Sequence, residues 1–245
     1  MPTLLLVRHG RTTANTAGVL AGWTPGVRLD AHGEQQAAAL AQRLAPLPLA
    51  AVVSSPLERC RQTADALVAV PGPDGPRPEV LVDDGLGEVR YGDWTGRELK
   101  GLAKEPLWRT VQAHPSAAVF PGPDGEGLAS MQHRAVAAVR EHDARVSAAH
   151  GEDAVWVAVT HGDVIKAVLA DALGMHLDLF QRLSADPCSV SVVRYAPLRP
   201  FVLRTNDSGG DLSGFAPRRK RRRRGAAGAR GTASSDAVVG GSTGA

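Results

Sequence analysis

The chain has 245 residues, of which 43% are hydrophobic and 22% charged, proportions of a globular protein with one sizeable core and some length to spare. Its apolar runs are too short to cross a bilayer, and residues 1–7 carry no basic lead-in to a cleavable apolar stretch, which predicts a cytoplasmic protein without a membrane span. The net charge of +3 divides unevenly: residues 206–245 hold eight basic and three acidic side chains, a net of +5, which leaves −2 for residues 1–205.

Residues 3–8 (TLLLVR) form a continuous apolar run of strand length, as expected for a strand covered on both faces. Asp30 is placed to cap a helix whose apolar positions Ala37, Leu40, Ala41 and Leu44 follow helical spacing. Residues 50–54 (AAVVS) read as a second strand. Ser55, Pro56 and Glu58 then read as cap, first-turn proline and capping-box acid of a helix with Cys60, Ala64, Leu67 and Val68 on its inner face. Residues 80–82 predict a third strand, and residues 83–96 an acid- and glycine-rich loop. Helical patterning returns over residues 98–113. After a Pro/Gly-rich loop, a long helix carries Leu128, Met131, Ala135, Val139, His142, Val146 and Ala149 on its buried face. Residues 155–159 (VWVAV) predict a central strand. The helix after it is apolar at Val164, Ile165, Val168, Leu169, Ala172 and Leu173, with Gly174 as its stop. Residues 189–195 and 201–203 read as closing strands, an antiparallel edge.

Strands alternating with helices predict an α/β fold, a three-layer αβα sandwich around a mainly parallel sheet, over residues 1–205. Residues 206–245 lose both periodicities and predict a disordered Gly/Ser/Ala-rich tail with a polybasic run at 218–224. That run has the chemistry for weak nonspecific contact with nucleic acid or an anionic surface, and a solvated tail without a partner is the simpler expectation. Cys60 and Cys188 are too few for a disulfide scaffold or zinc site and predict buried thiols. No cluster has metal-ligand spacing, so no metal and no cofactor are expected.

In a parallel sheet, ligands sit beyond the carboxyl ends of the strands. At those ends the sequence places Arg8-His9-Gly10, Ser54-Ser55 with Arg59 in the next helical turn, Gly87-Glu88, and Thr160-His161-Gly162. Two imidazoles, two guanidinium groups and one carboxyl at one edge suit phosphoryl transfer. Arginine forks match phosphate oxygens, neutral imidazole attacks phosphorus, and a carboxylic acid protonates the departing alkoxide.

The blocks Arg8-His9-Gly10 with Thr12 and Asn15, Ser54-Ser55 to Arg59 with Gln62-Thr63-Ala64, Gly87-Glu88 with Tyr91-Gly92-Asp93-Trp94, and Thr160-His161-Gly162 resemble, in order, the motifs of the histidine phosphatase (phosphoglycerate mutase-like) superfamily. The resemblance implies that His9 is the phosphorylated nucleophile and Glu88 the general acid/base. Arg8, Arg59 and His161 would bind the transferring group, with Asn15, Gly10 and Gly162 as further substrate contacts. It also resembles actinobacterial members described as phosphomutases or phosphatases, and 24 Arg against 4 Lys fits a GC-rich bacterial source. The segment between the acid loop and the second His-Gly is shorter than in true phosphoglycerate mutases, which favours a phosphatase of a small phosphorylated metabolite. The alternatives are a phosphomutase and an inactive phospho-ligand module tethered by its basic tail. Arg11, where the family commonly has glutamate or glutamine, would alter a second anionic contact. Residues 119–122 with Glu126 are expected to form a lid or specificity loop, and a homodimer is ordinary for such an architecture.

Overall fold

The computed structural model describes residues 2–210. The expected disordered tail lies outside these residues from 211 onward, and with it the polybasic run.

The first strand, β1 (Thr3–Arg8), leads to a one-turn helix, α1 (Thr13–Ala17), and then to α2 (Ala31–Leu44). Asp30 caps α2 as expected, its Oδ1 accepting the Gly33 N–H at 2.7 Å. Strand β2 (Leu49–Ser54) and helix α3 (Glu58–Val68) follow. Here the sequence reading is corrected: α3 starts at Glu58, so its N-cap is the apolar Leu57, with no side-chain capping bond, and the Ser55 hydroxyl reaches into the site described below. The short strand β3 (Val80–Val82) precedes residues 83–96, which hold two 3-10 turns, at Asp84–Leu86 and Gly92–Trp94. The helical stretch near 98–113 is two helices, α4 (Leu99–Leu102) and α5 (Pro106–Ala113), since Pro106 starts a new helix rather than continuing the old one. The long α6 (Leu128–His150), strand β4 (Val155–Thr160), α7 (Gly162–Ala172) and the pair β5 (Val190–Tyr195) and β6 (Pro200–Asp207) complete the chain.

The six strands run in the order β3-β2-β4-β1-β5-β6. β3, β2, β4 and β1 are mutually parallel; β5 is antiparallel to β1, and β6 to β5. Strand β6 extends two residues past the 205/206 boundary drawn from composition. Asn206, in the left-handed region at φ 51, is held by hydrogen bonds to Asp186 and Ser191. No recurring apolar residue announces such a strand end.

Alternate side chains of each strand enter opposite layers, as a period of two requires. Leu4 and Leu6, Trp156 and Ala158 pack with α6 and α7; Leu5 and Val7, Val157 and Val159 pack with α2 and α3. Thus the sandwich has one core on each side of the sheet. Helix α7 departs from its one-faced pattern: ten of its eleven residues are buried, including Asp163 and Lys166, while Leu173 just beyond it is half exposed. It lies under α6 and the Leu177–Arg182 turn as well as against the sheet, so there is little outer face left. His142 is a satisfied core histidine, bonded to Asp83 Oδ2 at 2.7 Å. Both thiols are buried. No helix among the described residues is long and apolar enough to cross a membrane.

Candidate active site

The ends of β2, β4 and β1 lie side by side, with Arg8 opposite Thr160 and Ser54 opposite Val159. The chain leaves each strand with the ladder still intact, His9 N–H donating to Thr160 O at 3.0 Å and Ser55 N–H to Val159 O at 2.9 Å. Sheet registry therefore fixes the Cα positions of His9, Ser55 and His161 before any side chain contact is made.

His9 Nδ1 lies 2.7 Å from Gly10 O. A carbonyl can only accept, so Nδ1 carries the proton and Nε2 presents a lone pair, the form required of a nucleophile. Arg59, the second residue of α3, donates from Nε to that Nε2 at 3.2 Å and from Nη2 to Gly22 O at 2.9 Å. The same Nη2 is 3.3 Å from His161 Nδ1, so one guanidinium bridges both imidazoles. Their centroids are 5.2 Å apart and the rings meet edge-on. His161 is the N-cap of α7 and makes no capping bond with its side chain; its Nε2 is held instead by Ser55 Oγ at 2.8 Å, with Cys60 Sγ at 3.4 Å. Glu88 brings Oε2 to 3.7 Å from His161 Nδ1, while its Oε1 accepts the Val89 N–H at 3.0 Å. Arg8, fully buried at the end of β1, donates to Ala185 O at 2.7 Å.

Burial and charge set the protonation states. His9 is held neutral, well below the usual imidazole value, by burial and then by Arg59 and Arg8. His161 is lowered for the same reasons, with His9 and Arg134 adding to the effect. Glu88 moves the other way, up to about 7, through burial and the nearby Asp163 carboxylate, against the opposing pull of Arg59 and Arg8. The Cys60 thiol is pushed up to about 12 by burial, so it stays protonated beside His161. Neutral imidazoles, a carboxyl that titrates near 7 and two guanidinium groups make up a buried, donor-rich cluster, suited to an anion on which negative charge shifts during reaction.

Arg8, His9, Arg59, Glu88 and His161 thus converge. Gly162 is the buried first residue of α7, directly after His161. Gly10 donates its N–H to Thr63 Oγ1 at 3.1 Å, and a Cβ there would meet Gly33 O at 2.6 Å. It lets the loop lie against the start of α2. Asn15 accepts from Thr12 N–H at 3.0 Å and Thr12 Oγ1 at 2.9 Å, the capping box of α1, so its described hydrogen bonds are local. Arg11 pairs through Nε with Asp30 at 2.8 Å. In the expected lid segment Phe120 is buried, 4.9 Å from the Tyr91 ring, and Glu126 is bound to Arg134, while Val119 is exposed.

Several residues escape the sequence reading. Ser55 looks like a helix cap there, Cys60 like core, and Thr63 stands in a family motif with no role given to it. Tyr91, Asp163 and Lys166 form a buried chain, with Tyr91 Oη donating to Asp163 Oδ2 at 3.0 Å and Lys166 Nζ 2.9 Å from Asp163 Oδ1. The one available signal was the charged pair at i, i+3 within an otherwise apolar helix.

Comparison with known proteins agrees with this geometry. Residues 4–208 match the family model described as the histidine phosphatase superfamily (branch 1). Phosphoserine phosphatase 1 of Hydrogenobacter thermophilus is 31% identical over 84% of this chain and 92% of its own. A protein of Erwinia tasmaniensis named "Probable phosphoglycerate mutase GpmB" is 31% identical over 79% of this chain and 85% of its own. Among solved structures, Bacillus stearothermophilus YhfR superposes with a TM-score of 0.74 at 26% identity, covering 84% of this chain and 98% of that one. A mycobacterial glucosyl-3-phosphoglycerate phosphatase in complex with VO3 gives 0.71 at 26% identity, with the same coverage. The chain belongs to branch 1 of the histidine phosphatase superfamily and is an enzyme of its phosphatase or mutase kind.

Proposed function

We propose that this enzyme is a metal-independent phosphatase that hydrolyses a small phosphomonoester through a phosphohistidine on His9. The observation that carries the reading is the Arg59 guanidinium spanning His9 Nε2 and His161 Nδ1, with the Glu88 carboxyl 3.7 Å from the latter. A phosphoryl group entering between the imidazoles would take over the donors that Arg59 now spends on them. The His9 Nε2 lone pair forms the N–P bond as the ester P–O bond breaks. The leaving oxygen takes its electron pair and the Glu88 proton. In the second half the Glu88 carboxylate removes a proton from water, whose oxygen bonds to phosphorus as the N–P bond breaks. Phosphate leaves and the starting protonation states return. Arg8, Arg59 and His161 stabilise the charge on the transferring oxygens, a role that a metal ion fills elsewhere. Among the described residues no three His, Cys, Asp or Glu side chains group as a metal site.

The named activities of the relatives, phosphoserine and glucosyl-3-phosphoglycerate hydrolysis, support a small phosphorylated metabolite as substrate. A phosphomutase is the second reading, favoured by the Erwinia relative; it differs only in whether a second hydroxyl replaces water in the second half-reaction. Assaying phosphorylated metabolites with and without EDTA tests both. Phosphate release indifferent to EDTA and lost in His9→Ala supports the phosphatase. Activity abolished by EDTA, or kept in His9→Ala, would overturn it, and phosphoryl transfer to a second metabolite without phosphate release would establish the mutase.

A further inference from the structure

Arg134, in the second turn of α6, spends all five of its guanidinium donors. Nε and Nη2 form a fork on Glu126, at 2.7 and 2.8 Å. Nη1 donates to Gly85 O and Gly87 O, both at 2.9 Å, and Nη2 donates again to Glu88 O at 2.9 Å. Three carbonyls of the acid loop, those of Gly85, Gly87 and Glu88, are thereby tied to one rigid planar group on a long helix. Glu88 O receives a second donor, Trp23 Nε1 at 2.7 Å, so both lone pairs of that carbonyl are used. The loop end is fixed too, since Arg90 N–H reaches Glu126 Oε2 at 3.2 Å and Glu126 N–H reaches Arg90 O at 2.8 Å. With the Glu88 carbonyl held by two donors and Oε1 accepting the Val89 N–H, Oε2 lies toward the two imidazoles, 3.7 Å from His161 Nδ1. The pair is itself mostly withdrawn from water, with side-chain exposures of 25% for Arg134 and 13% for Glu126.

We propose that Arg134 and Glu126 are positioning residues for proton transfer: acting through the peptide of Glu88, they set where its carboxyl stands relative to the leaving oxygen. The inference rests on Glu88 being the general acid, as proposed above. Misplacing a catalytic group by about 1 Å costs on the order of 10²-fold in rate, and the general acid itself contributes roughly 10²–10⁴-fold. The loss should therefore depend on how much the leaving group needs a proton. Glu88 matters for an alkyl phosphate such as phosphoserine and much less for p-nitrophenyl phosphate, whose leaving phenolate departs unaided.

The test compares kcat/KM for these two substrates in wild type, Glu88→Gln, Arg134→Lys and Glu126→Gln, with inhibition by inorganic phosphate as a check on the folded phosphate site. Arg134→Lys keeps the charge but loses the planar fork, and Glu126→Gln leaves Arg134 in place should the first variant fail to fold. The expected result is a loss of about tenfold or more on the alkyl phosphate, with p-nitrophenyl phosphate turnover and phosphate inhibition within about threefold of wild type. Equal losses on both substrates in the folded variants, or none, would overturn the positioning role. Should Glu88→Gln itself lose no more on the alkyl than on the aryl ester, the general-acid reading of Glu88 fails instead, and the inference with it.

Discussion

Ser55 shows how one side chain changes meaning between sequence and structure. Its hydroxyl meets His161 Nε2 at 2.8 Å, and because a hydroxyl both donates and accepts, it can hold that ring through a change of tautomer. Ser55→Ala removes one buried hydrogen bond, worth roughly 1 kcal/mol, so kcat/KM should fall by about fivefold with the fold intact. Steady-state kinetics beside a melting curve checks this; unchanged kcat/KM would mean that Cys60 and Arg59 suffice to orient the ring. The pH profile belongs to this scale as well. His9 is held neutral well below its ordinary range, so it is a competent nucleophile throughout the physiological span. Glu88 is protonated only below about 7. For an alkyl phosphate, kcat/KM should fall by about tenfold per pH unit above that point, since this parameter reports the free enzyme. A profile flat to pH 9 would contradict the assignment of the acid.

Among the elements, the His9 loop and α2 pack with their backbones in close contact. Gly10 and Gly33 pack backbone to backbone, and a Cβ on Gly33 would come within 2.0 Å of Arg11 O. Asp30 locks the same corner: burial works against its charge, but Gly33 N–H and Arg11 outweigh that and hold it below the ordinary carboxylate range. Gly33→Ala should therefore lower both stability and kcat/KM, because relieving the clash displaces the loop that carries His9. Gly101→Ala, in α4 with open space around it, should be neutral or stabilise by up to about 1 kcal/mol. Melting and kinetics of the two variants side by side check the contrast. Such elements were legible where one periodicity rules: Ala37, Leu40, Ala41 and Leu44 marked α2, and the run TLLLVR marked β1. Legibility failed where tertiary contacts assign the role. Ser55 has the chemistry of a cap, and only the neighbouring β4 end takes it for His161. Arg134 carries no helical signature, since its partners are carbonyls some 46 to 49 residues away. Arg8, His9, Arg59, Glu88 and His161 could be found because each lies at a strand end or in the segment after it, where topology favours convergence.

Across the whole molecule, the site is a burden on stability. Glu88 has its proton affinity raised by folding, so its favourable contribution is fully present below about pH 4.5 and is lost as pH rises through about 7. Glu88→Gln should then melt above wild type at pH 8 and show no such advantage at pH 4, while losing activity on alkyl phosphates. A variant equally stable or weaker at pH 8 would mean that the ionised carboxylate is compensated by Arg8 and Arg59. The site draws its named residues from between Arg8 and Ala185, and removal of residues 211–245 should leave turnover of a small phosphomonoester unchanged, as kinetics of the truncated chain will show.

The most direct measurement is to quench the enzyme during turnover under alkaline conditions and map the trapped phosphoryl group by mass spectrometry. A phosphoryl group on the His9 ring, stable to base and released by acid, is expected, and none should form in His9→Ala. Phosphate found on another side chain, or a turning-over enzyme from which no phosphohistidine can be trapped, would contradict His9 as the nucleophile.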